Sequence, residues 1–122
     1  MKPSLCVLAF AFFYFLNGYS LALAHAVVVE SNPSEGAVLK QAPERIQLRF
    51  NVKIEKALTR VSLTQGGKQK IKLPPSDFSK SAPNRLNVRL PPLEPGDYLL
   101  RYSVLAADGH TTQGALRFSV AK

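Results

Sequence analysis

From residue 25 onward, polar and apolar positions alternate in short bursts. Arg45-Ile46-Gln47-Leu48-Arg49-Phe50 puts every second side chain on one face, as a half-buried strand does. Arg60-Val61-Ser62-Leu63-Thr64 repeats the pattern, and Gln65-Gly66-Gly67 reads as a hairpin turn into Gln69-Lys70-Ile71-Lys72-Leu73. Arg85 to Leu90 alternates again and stops at Pro91-Pro92. The β-branched run Ala26 to Glu30 ends at the turn signal Asn32-Pro33, Pro74 to Pro83 is a loop, and Tyr98–Leu105 and Ala115–Val120 close the chain as strands. Helical periodicity is absent from this part of the chain. About seven short strands at these spacings predict an all-β fold, an Ig-like Greek-key β-sandwich. The residues expected inside it are Val28, Ile46, Leu48, Phe50, Val61, Leu63, Leu86, Val88, Leu90, Tyr98, Leu100, Tyr102, Val104, Leu116, Phe118 and Val120.

Residues 1–24 follow a different rule. Lys2 precedes a short apolar run, Leu5 to Phe15, which Asn17, Gly18 and Ser20 interrupt before Ala22-Leu23-Ala24. A charged start, a short apolar stretch and a small-x-small end predict a cleaved secretory signal. A membrane anchor would need about 20 apolar residues, more than this run supplies. The expected organisation is therefore a signal peptide over 1–24 and one domain over 25–122, with the mature chain starting at His25 in the periplasm and no membrane anchor after cleavage.

Cysteine usage narrows the chemistry. The one Cys is Cys6, inside the apolar run and away from the cleavage point, so neither a lipid anchor nor an intramolecular disulfide is expected. The one Met is Met1. Any metal held by residues 25–122 must use nitrogen and oxygen. The chain carries a formal net charge of +8, and Lys2 is the sole charge in residues 1–24. The other basic residues are spread along the domain without an arginine-rich run, which predicts a solvated surface and no nucleic-acid partner.

The chain has two histidines, His25 and His110. A histidine in first position offers two nitrogens, the α-amine (ordinary pKa about 8) and an imidazole nitrogen (about 6.5), and the pair can close a chelate ring on one ion. His110 lies in Asp108-Gly109-His110. In an extended segment, residues two apart point to the same side, so Asp108 and His110 would add one oxygen and one nitrogen. Three nitrogens and one oxygen suit Cu(II) in a tetragonal arrangement, and Zn(II) could use the same atoms. The bland alternative is that Asp108 and Gly109 serve only a β-turn.

The domain resembles the CopC-type copper resistance proteins from His25 to Val120. The resemblance rests on His25-Ala26, then Ser31-Asn32-Pro33, Glu35-Gly36, Pro43 and Ile46 to Asn51. It continues in Leu93, Pro95, Gly96 and Tyr98, and in Ser103 followed by Asp108-Gly109-His110, Gly114, Phe118 and Val120. It implies a monomeric periplasmic protein holding one Cu(II) ion through the amine and imidazole of His25 with Asp108 and His110, beside an inner-membrane copper transporter. Some members add an acid just after the Phe-Ser or Phe-Asn pair. Here Val52-Lys53 follows Phe50-Asn51, and Glu55 is displaced, so that role is not carried over. The methionine-rich Cu(I) site of many members cannot be built from this chain. Two other functions compete with a non-enzymatic copper buffer or carrier. One is a copper oxidative enzyme of histidine-brace type, which Asp108 as a ligand disfavours; the other is a metal-free interaction module.

Overall fold

The computed structural model describes residues 25–122; the predicted signal segment lies outside the described residues. Eight strands follow in order: β1 (Val28–Asn32), β2 (Ala37–Leu39), β3 (Arg45–Phe50), β4 (Arg60–Gln65), β5 (Gln69–Ile71), β6 (Arg85–Arg89), β7 (Gly96–Leu105) and β8 (Thr111–Val120). They form a three-stranded sheet ordered β1-β3-β6 and a five-stranded sheet ordered β2-β8-β7-β4-β5. Two 3-10 turns, Lys56–Leu58 and Phe78–Lys80, sit in the crossovers between the sheets. The only helical turns among the described residues are these, and none is long and apolar enough to cross a membrane.

The alternating strands bury the faces the sequence assigns to them. Ile46, Leu48 and Phe50 of β3 and Leu86 and Val88 of β6 face Leu63, Leu100, Val104, Leu116 and Phe118 of the other sheet, all of them buried. Tyr98 stacks on Phe118 with ring centroids 5.4 Å apart. Of the expected interior, Val28, Val61 and Tyr102 are half-buried and pack on the margin of this cluster. Three further residues complete it: Ala26, Ile54 and Ala106 are each 2 % exposed or less. They come from segments without alternation and are drawn in by tertiary contacts.

The strands differ from expectation by one addition and by several shifted boundaries. The added strand is β2, which pairs in parallel with β8 through Ala37, Val38 and Leu39. Its three residues are too few to show a period, and Val38 is exposed. β1 runs on through Asn32, β5 stops at Ile71, and β8 starts at Thr111 because the hairpin with β7 stays paired from Gly96↔Val120 to Leu105↔Thr111. That long hairpin carries its tip to one pole of the sandwich. Ile54 forms a bridge to Ala106 there, and the Glu55 amide donates to the Leu105 carbonyl at 2.9 Å. Lys56 secures the same crossover: its ammonium donates to the Phe78 and Arg85 carbonyls and to the Ser81 hydroxyl.

Halfway along the hairpin, Tyr102 lies opposite Gly114. Its ring lies across Gly114 and meets Phe50 edge-on at 5.7 Å. A Cβ on Gly114 would overlap the phenol oxygen and the carbon bearing it, so the glycine is required by close approach rather than by its backbone angles. Gly114→Val should cost about 1–3 kcal/mol of stability, as overpacking does. In urea denaturation, Tyr102→Ala combined with Gly114→Val should lose clearly less than the two single losses added together. Additive losses would show that the ring and the glycine do not share this space.

Candidate metal centre

The β7–β8 hairpin closes on a loop from Ala106 to His110. The Gly109 amide donates to the Ala106 carbonyl at 3.0 Å, and the Ala106 amide donates to the His110 carbonyl at 2.9 Å. Gly109 holds a φ of 86°, where a side chain would be strained. Asp108 shapes the turn directly, since its Oδ1 accepts from the His110 amide at 2.9 Å. An aspartate bonding an amide two residues on is a turn-forming contact. The turn reading of Asp108-Gly109 therefore describes the backbone correctly. It also changes the reason why Asp108 and His110 lie together: they meet through this turn, not through strand alternation.

The same turn leaves chemistry exposed. Asp108 Oδ2 lies 2.8 Å from His110 Nδ1. With Nδ1–H donating to the carboxylate, Nε2 of a neutral ring carries the free lone pair. The carboxyl of Asp108 is held below the usual carboxylate range. The hydrogen bond from the His110 amide is the foremost cause, and the His110 ring and the charges of His110 and His25 act in the same direction. A carboxylate has about four lone-pair sites, so two contacts to His110 leave room for another partner.

His25 arrives from the other end of the described residues. Ala26, the next residue, is buried, and the segment is then tied to Asn51 in both directions. The Val27 amide donates to Asn51 Oδ1 at 2.7 Å, and the Asn51 amide donates to the Val27 carbonyl at 2.9 Å. This anchoring brings the His25 ring to 5.4 Å from the His110 ring, at an interplanar angle of 56°. His25, Asp108 and His110 each offer a donor atom within 4.8 Å of the others, and all three are exposed to solvent. Donors on one ion at about 2 Å bond length are at most about 4 Å apart. The set fits a metal ion after a closure of about 1 Å, within reach of rotamer changes in exposed side chains. Glu55 is not part of the cluster.

Asn51 is the contributor that sequence reasoning passed over. Beside Phe50 it marks only the place where an acid is missing; its two bonds to Val27 are long-range and leave no local pattern. Asn51→Leu should speed hydrogen exchange of the Val27 amide by about tenfold or more, the equivalent of one lost hydrogen bond. Asn51→Asp, which keeps an acceptor, should hold the protection. Unchanged exchange in the leucine variant would remove Asn51 from the anchoring of His25.

The CopC domain family matches residues 28–121 of the chain. The copper resistance protein C of Xanthomonas campestris pv. juglandis is 32% identical over 105 residues, covering 81% of this chain and 82% of that protein. The copper transport protein CutJ of Bacillus subtilis is 28% identical over 102 residues, covering 83% of this chain but only 19% of CutJ. Against the crystal structure of CopC from Methylosinus trichosporium OB3b, the fold agrees with a TM-score of 0.70 at 26% identity, over 80% of this chain and 94% of that one. With the family matching nearly the whole sandwich and a relative aligned across most of both chains, this chain belongs to the CopC domain family.

Proposed function

We propose that the protein is a periplasmic carrier or buffer that takes one Cu(II) ion as its cargo. The α-amine and imidazole of His25, the imidazole of His110 and the carboxylate of Asp108 hold the ion. The observation that carries this reading is that both histidines of the chain, from opposite ends of the domain, meet beside one carboxylate with donor atoms within 4.8 Å. Two of its relatives are named for copper resistance and copper transport. Delivery toward an inner-membrane copper transporter is part of the proposal.

The donor chemistry selects the oxidation state. Nitrogen and carboxylate oxygen favour Cu(II), whereas Cu(I) prefers thiolate and thioether. Residues 25–122 contain neither Cys nor Met. Asp108 is an anionic donor whose lowered pKa keeps it ionised well below neutral pH. It stabilises the higher charge on the ion, which suits holding and release more than redox turnover. Protons compete for the amine and imidazole nitrogens, so the affinity falls as the medium acidifies.

The terminal chelate is the most exacting part of the proposal. One residue left in front of His25 turns its amine into an amide, which has no free lone pair for a metal at neutral pH. The strands and core of the described residues all lie after His25, so such an extension leaves that fold intact. Two preparations, one starting at His25 and one carrying an extra residue, should give matching circular dichroism. In competition with a Cu(II) chelator, the extended form should bind more weakly by about 100-fold or more, beyond the loss typical of outer-shell changes. Equal affinities would refute the terminal chelate.

A further inference from the structure

The outer face of the three-stranded sheet carries an arrangement that stability alone disfavours. β3 and β6 pair so that Arg45 lies opposite Arg89 and Arg49 opposite Arg85, with Gln47 opposite Asn87 between them. Ile46, Leu48, Leu86 and Val88 point into the core, so these six side chains share the outward face. Like charges directly opposite across an antiparallel pair are destabilising. The acids nearby offset little of this charge. Glu30 bonds one nitrogen of Arg49 at 2.9 Å; Asp77 lines the cleft shared by Arg45, Arg89 and Asn87, but its carboxylate is bonded to Ser79, and Lys80 adds another cation to the same cleft. Arg45, Arg85 and Arg89 have no ion-pair partner among the described residues.

The opposite sheet shows that such pairing is not forced by a basic composition. There Arg60 lies opposite Ser103 and Arg101 opposite Ser62, so the cations are staggered. Arg117 faces Leu99 and is bonded by Glu35. On β3 and β6 the cations are stacked instead, at two points four residues apart.

We propose that this face docks an extended acidic segment of another protein, with carboxylates at positions i and i+4 meeting the Arg45–Arg89 and Arg49–Arg85 pairs. A strand rises about 3.4 Å per residue, so the two arginine pairs lie about 14 Å apart, the distance between same-side residues i and i+4 of an extended chain. Two guanidinium groups at each point give forked donors that fit a carboxylate. Between them the exposed Gln47 amide offers both a donor and an acceptor, as a peptide backbone requires, whereas the Asn87 Oδ1 is buried. A lipid surface fits less well, because none of the exposed large hydrophobic residues lies on β3 or β6. The inference is independent of copper, which plays no part in it.

The test is an NMR titration of the 15N-labelled protein with a synthetic Ser/Thr peptide bearing two glutamates four positions apart. Its glutamine twin and phosphatidylglycerol vesicles serve as the comparison probes. Shift changes are expected on β3 and β6 with the glutamate peptide and not with its twin. Arg45→Thr combined with Arg89→Thr should raise the Kd by about tenfold or more, for two lost charge-assisted contacts, and Arg49→Thr with Arg85→Thr should do the same. Arg60→Thr with Arg101→Thr should leave the Kd unchanged. The Arg45/Arg89 variant should also melt at a higher temperature, because a like-charge pair is gone. Four results would each overturn the proposal: no shift with the glutamate peptide, an equal loss in the Arg60/Arg101 variant, binding to vesicles but not to the peptide, or a lower melting temperature.

Discussion

Two hydrogen bonds between Val27 and Asn51 fix the segment that carries His25, and the candidate metal centre depends on that placement. Ala26 sinks into the core beside them, so that His25 emerges at a fixed point and does not trail from the sandwich. The opposite half of the site depends on the same pole. There the β7–β8 hairpin ends in a turn braced by Asp108, and the segment from Ile54 to Glu55 is bonded to Ala106 and Leu105. Both halves are set by contacts that fix the backbone. In the proposed carrier role only exposed side chains would need to move when an ion is taken up, which suits a site that also lets its cargo go.

The sandwich achieves this without disulfides. Its core is apolar, with no buried charge among the described residues, and charged groups lie on the outer faces. The three-stranded sheet departs from the most stable layout by stacking arginines across β3 and β6. Proteins commonly give up stability where a surface has a task. The candidate metal centre at the pole and the basic face on the flank are separate, so the two proposed roles would not compete for the same surface.

Much of the fold is legible in the sequence because the sheets are half-buried. Alternation in Arg45–Phe50, Arg60–Thr64 and Arg85–Leu90 assigns strand and inward face together. What escapes is held by partners distant in sequence. β2 is three residues long and exists because β8 lies alongside it. Ile54 and Ala106 are buried by an isolated bridge, and Asn51 acts through Val27, 24 residues away. The three candidate site residues stand out by composition, as the chain's two histidines and the acid two places from one of them. The turn over Asp108-Gly109 is legible too, as the alternative to an extended segment, but not that the same turn sets the Asp108 carboxylate against the His110 ring.

The central claim concerns which atoms hold the ion, and electron paramagnetic resonance of the protein loaded with one equivalent of Cu(II) addresses it directly. The account predicts a tetragonal spectrum with hyperfine structure from three nitrogens, reduced to two by His110→Ala while the sandwich remains folded. A spectrum that keeps its nitrogen count in His110→Ala, or that shows no nitrogen coupling at all, would contradict it.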